Sequence, residues 1–118
     1  ICILCEENIT DELRTHTISN CAHSAAAMNW LIAKVSNMDP DISAERIVLL
    51  NINPTSEQNV LKCVWLIAET LLYVWEKRKA KVAIEMDMLV ASIKAKTKML
   101  SLSSLFGEDG KELLEMLN

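Results

Sequence analysis

Residues 60–75 read VLKCVWLIAETLLYVW, and how this run is read decides the fold. Lys62 and Glu69 interrupt it, and it is shorter than the ~20 apolar residues a bilayer crossing requires. It is therefore a core helix rather than a membrane span. Working outward, residues 55–106 contain neither Gly nor Pro. Within them Leu61, Trp65, Ala68, Leu72, Trp75, Lys79, Val82, Met86, Leu89, Ile93, Lys96 and Leu100 recur at alternating spacings of four and three. That is a heptad seam with two lysines in it. As one rod, the stretch would reach ~75 Å at 1.5 Å per residue, whereas a compact domain of this size has a radius of gyration near ~13 Å. Either the chain folds back near Glu76–Lys81, as a lysine in the seam at position 79 favours, or the seam meets another chain. In the second case the partner is a parent protein or a second copy, paired as a homodimer through residues 61–100.

The rest of the chain agrees with helices. Its 118 residues suit one domain. Hydrophobic residues make up 51%, with Gly and Pro at 2 each, too few breakers for a many-stranded sheet. Ser24 caps a helix over Ala25–Val35 with Ala27, Trp30, Leu31 and Val35 on one face. Residues 37–41 are a turn, Ser43 caps a short segment through Leu50, and Asn51-Ile52-Asn53-Pro54 is a second turn. Residues 101–118 read as a tail that is either a short helix or disordered. Cys63, inside the apolar run, is a packed thiol, and the six methionines fill gaps in the core.

The head of the chain carries a different signal. Cys2, Cys5 and Cys21 fall within its first 21 residues together with His16, in the order Cys-x2-Cys-x10-His-x4-Cys. The spacing lets Cys2-Ile3-Leu4-Cys5 form a tight knuckle with both sulfurs aimed at one cation. Zinc takes thiolate and imidazole in such Cys₃His tetrahedra. Thr10 caps a helix whose first turn holds Asp11 and Glu12, and from which His16 projects. At ~100° per residue Cys21 would lie well round that cylinder. The helix should therefore stop near Asn20, which tolerates the left-handed conformation of many helix ends.

A redox Cys-x-x-Cys does not fit, because Glu6 and Glu7 would raise the thiol pKa. Three buried thiols beside an unrelated histidine are the bland alternative, and His23 could replace His16 as a ligand. A site with four protein ligands is structural, not catalytic. The expectation is a zinc knuckle over residues 1–23 and a helical bundle or long helical hairpin over residues 24–100. The class is all-α.

Charge is unevenly spread. The net −4 divides into −6 for residues 1–76, +5 for residues 77–98 and −3 for residues 99–118. Any footprint for RNA or DNA lies in the middle block. Lys77, Arg78, Lys79 and Lys81, with Lys94, Lys96 and Lys98, could follow a phosphate backbone, although charge runs usually mean a solvated face. The three tryptophans could be base-stacking platforms, but their helical spacing favours the core.

Cys2, Cys5, Glu12, His16, Cys21 and Trp30 together resemble the zinc-binding region that follows the polymerase domain of non-LTR (LINE-type) retrotransposon reverse transcriptases. Trp65-Leu66-Ile67-Ala68, Trp75-Glu76-Lys77-Arg78 and residues 91–96 are similar to the helical tails of such elements in invertebrates. A Pro commonly follows the last Cys in that family, where this chain has Ala22. The resemblance implies an intracellular (nuclear or cytoplasmic) accessory segment, downstream of a parent polymerase domain, that positions element RNA or target DNA. The chain starts at Ile1 with no secretory signal, as a fragment beginning partway through a reading frame would. It has no Asp-Asp pair to organise catalytic Mg²⁺, so the segment is not itself an enzyme. The alternative function is a helical protein–protein interaction module whose zinc is purely structural.

Overall fold

The computed structural model describes residues 15–118, apart from the side chain of Ser19. Residues 60–75 are helical throughout, inside the longest element, α3 (Val60–Ala80). It is preceded by α1 (Ala25–Val35) and α2 (Ala44–Val48), and followed by α4 (Met86–Ser101) and α5 (Gly107–Leu117). No strand occurs among the described residues, and the all-α class holds. None of these helices is long and apolar enough to cross a membrane.

The rod expected as one possibility is broken, and the fold-back occurs where the lysines are densest. Lys81 sits in the left-handed region at φ 57°. Its N–H donates to the Arg78 carbonyl, and the Val82 N–H reaches back to the Lys77 carbonyl at 3.0 Å. These paired bonds close the helix in a Schellman motif. The chain then returns, and α4 lies antiparallel against α3. Trp65 Nε1–H donates to Thr97 Oγ1 at 3.2 Å, and Lys96 pairs with Glu69 at 3.0 Å. The principal extents are 45 × 27 × 20 Å, well short of a 75 Å rod.

The seam itself divides in two. On α4 its residues Leu89 and Ile93 are buried, joined by Thr97. On α3 the buried stripe is Cys63, Leu66, Ile67, Thr70, Val74 and the neighbouring Lys62 and Arg78. At ~100° per residue this is nearly the opposite side of the cylinder from Ala68, Leu72 and Trp75, which are exposed. Helix α3 is apolar almost all round, and it can offer only one stripe to α1, α4 and α5, which pack on it. It offers the one containing Cys63 and Thr70, both fully buried, whose small side chains admit close neighbours. Burial pushes the Cys63 thiol up to about 11, as suits an inert packed thiol.

Helix α1 spans the expected residues, with Ala27, Met28, Leu31 and Val35 buried. Ser24 does not cap it, however; its hydroxyl donates backward to the Thr17 carbonyl at 2.6 Å. Ser43 does cap α2, accepting from the Arg46 N–H at 3.2 Å. Between these helices lies a contact that reading Asp39 as a turn residue missed. Asp39, 1% exposed, accepts both Arg46 guanidinium donors at 3.0 and 2.9 Å and the Asn53 N–H at 2.7 Å. It thereby ties the start of α2 to the loop that follows it.

Residues 101–118 hold a packed helix. Ser103 Oγ accepts from the Leu105 and Phe106 N–H groups in the turn, and α5 then lies across the end of α4. Gly110 is required at that crossing, because a Cβ there would sit 2.4 Å from the Ser101 nitrogen. Leu113 and Leu117 complete the core. The Lys62 ammonium pairs with Glu112, and Lys34 Nζ donates to the Met116 carbonyl at 3.5 Å. Of the methionines, Met28 and Met38 are buried, but Met88 and Met99 are mostly exposed. The gap-filling role therefore belongs to only some of them.

Candidate functional site

Of the four residues whose spacing predicts a zinc site, Cys2 and Cys5 lie outside the described residues, as do the expected cap Thr10 and first-turn acids. His16 and Cys21 are described, and both are buried, at 2% and 3% exposed. Residues His16–Asn20 form a short wide turn of π type, in which the Cys21 N–H donates to the His16 carbonyl at 2.7 Å. A five-residue closure of this kind is seen mostly at single functional turns. The helical segment does end at Asn20. It ends by widening, since the described residues with positive φ other than Gly are Leu50 and Lys81. In a regular α-helix, residues five apart are turned well away from each other. Here the wide turn brings the Cys21 N–H onto the His16 carbonyl, and Cys21 then leaves in an extended conformation.

Two further side chains converge on this end. Arg78, near the last turn of α3, is 7% exposed and directs its guanidinium Nη1 toward Cys21 Sγ at 4.0 Å. It is therefore not part of a solvent-facing row of cations. It follows Cys63, Ile67, Thr70 and Val74 along the inward stripe, a signal that the run Lys77-Arg78-Lys79 conceals. Among the described residues the buried His23 Nε2 has no hydrogen-bond partner, a condition that costs free energy unless something satisfies it. Among the described residues no group of three or more His, Cys, Asp and Glu side chains gathers at one point.

The other basic residues divide by environment. Lys77 lies over the Tyr73 ring, 5.3 Å from its centroid, and Lys96 is paired with Glu69. Lys79, Lys81 and Lys98 are exposed and Lys94 half-exposed, and among the described residues none of these four has an ion-pair partner. Because α3 and α4 run antiparallel, Lys94–Lys98 lie beside Trp65–Glu69. The other cluster, Lys77–Lys81, is then about 15 Å away along the hairpin at 1.5 Å per residue.

The tryptophans are not uniformly core. Trp30 and Trp65 are half-buried against it, while Trp75 is 40% exposed.

No protein-family model matches the chain, nor does any curated protein or solved structure.

Proposed function

We propose that this chain is a zinc-stabilised accessory segment of a LINE-type reverse transcriptase that binds nucleic acid and positions RNA or DNA for an active site elsewhere. The observation that carries the reading is the burial of both His16 and Cys21 on one wide turn, with the Arg78 guanidinium beside the Cys21 sulfur. A zinc-bound thiolate accepts N–H groups of this kind from the surrounding shell. Cys2, Cys5, His16 and Cys21 would hold the metal, and His23, with its unsatisfied Nε2, is the rival to His16. The bound ion would fix the fold of a segment too short to build a core of its own.

Nucleic-acid contact falls to Lys81, Lys94 and Lys98, and to Lys79 in the single chain, with Lys77 and Lys96 restrained by their own contacts and Arg78 withdrawn toward Cys21. Such cations neutralise phosphates without reading sequence. Binding of single-stranded RNA should therefore weaken steeply with salt. The Lys81/Lys94/Lys98→Ala variant should flatten the slope of log K against log salt by about 2, at ~0.7 per lost phosphate contact. Absence of binding at low salt would overturn this half of the reading.

One observation favours the second reading, an interaction module. The outward face of α3 is apolar and uncovered, with Leu72 and Trp75 at 45% and 40% exposed.

A further inference from the structure

The uncovered face of α3 is a groove with a definite shape. Val64, Ala68, Leu72 and Trp75 recur along it at spacings of four, four and three, on one side of the helix. Two hollows lie beside it and meet at Leu71. One, of about 360 Å³, lies between Trp75 and Ile18; the other, of about 280 Å³, lies between Val64 and Leu50 with Ile52. Leu50 stands at this rim 67% exposed, in the left-handed region at φ 55°. That conformation is strained for a residue that bears a side chain. A contiguous apolar surface of this kind marks a place where something docks.

Anchors at spacings of three and four along one stripe are what a partner helix lays its apolar face against, and the charges say which one. The exposed face carries no acidic residue between Val64 and Trp75. It ends in exposed Glu76 and, three residues on, exposed Lys79 on one side, and exposed Glu57 lies in the turn just before α3 on the other. Ala68, the smallest side chain of the strip, lies at its middle. A two-fold axis through Ala68 sets each residue beyond it opposite the residue equally far before it. Leu72 then meets Val64 of the second copy, Trp75 meets Leu61, and Lys79 meets Glu57 at both ends. The reach agrees. Lys79 lies ~16.5 Å from Ala68 at 1.5 Å per residue, and Glu57 lies ~18 Å the other way, counting its three-residue turn at 2.0 Å per residue. In a parallel pairing Lys79 would face Lys79, and like charges opposed across a helical seam repel.

We propose that two copies of this chain pair antiparallel through the outer face of α3, crossing at Ala68 and locked at each end by Lys79 and Glu57. The pairing is isologous, as closed dimers are. It draws on residues 57–79 and leaves out the α4 half of the heptad seam, which the core already uses. It does not depend on the zinc or nucleic-acid reading.

Sedimentation of the full chain with zinc present, across a concentration series, tests it. The expected result is a monomer–dimer equilibrium that Leu72→Glu weakens by about tenfold or more. Leu72 is exposed in the single chain, so circular dichroism of that variant should be unchanged. Lys79→Glu should weaken pairing and Glu57→Lys added to it should restore pairing. Ala68→Cys should cross-link to itself, and Val64→Cys should cross-link to Leu72→Cys in preference to itself. A monomer at every concentration up to hundreds of micromolar overturns the proposal. So does a dimer indifferent to Leu72→Glu, a charge swap that fails to restore pairing, or cross-links pairing each position with itself.

Discussion

At the scale of single residues, Asp39 has a demanding environment, 1% exposed and held by three donors. Burial alone would raise its carboxyl, but the Arg46 guanidinium and the Asn53 and Asp41 backbone donors outweigh it and hold the group below its ordinary 3.8. A carboxyl depressed in the folded state binds protons less readily there than in the unfolded chain. Its contribution to stability is thus complete above about pH 5 and fades as acid carries the pH down through the depressed value. Arg46→Ala should cost about 3 kcal/mol in urea unfolding at neutral pH, because it strands a buried carboxylate. Asp39→Asn should cost less and flatten the acid side of the stability profile. Equal losses at pH 7 and pH 3 for both variants would show that the pair matters only as packing. Sequence reading took Asp39 for a turn residue beside a proline, because nothing local distinguishes a buried acid from a solvated one. Its partners lie seven and fourteen residues away, beyond the reach of turn chemistry.

Among the elements, the helices were legible and the use of their faces was not. Apolar periodicity, Ser43 and the placement of breakers foretold α1, α2 and the long helical stretch, because these depend on neighbours in sequence. The choice between the two apolar sides of α3 depends on which helices pack there, and the heptad pattern marks the side left outside. The tail showed its helix poorly because Gly107 and Gly110 both fall in its first turn, where glycine lowers helix propensity, and what anchors it is a glycine chosen for close approach. Gly110→Ala drives a methyl group into the Ser101 backbone, and neither backbone can yield without moving α5. We expect a loss of ~1–3 kcal/mol, read as a lower urea midpoint. Gly107→Ala, where the nearest atom is 3.0 Å away, should cost distinctly less. Similar losses for the two would point to helix propensity, which favours alanine at both, being outweighed by something other than this contact.

For the whole molecule, the helical body has a core of its own drawn from all five helices, so its stability should be separable from that of the head of the chain. Strong chelation should remove structure from the head of the chain first, seen as early proteolysis before residue 24, while most of the helical signal persists. Unchanged proteolysis after chelation would rule out a zinc site there. Of the candidate site, the His16 and Cys21 spacing was legible because both residues lie on one short turn, close together in sequence. The inward turn of Arg78 was not, because it depends on how α3 docks against the wide turn.

Trp75 adds an optical consequence. An indole at 40% exposure emits as a partly hydrated fluorophore, whereas Trp30 and Trp65 are held against the core at every concentration. Dilution alone should therefore report on assembly, with emission shifting to the red as paired chains separate and Trp75 returns to water. Trp75→Phe should abolish that shift while leaving the emission of the other two intact. The chain carries its own concentration gauge, readable without a label.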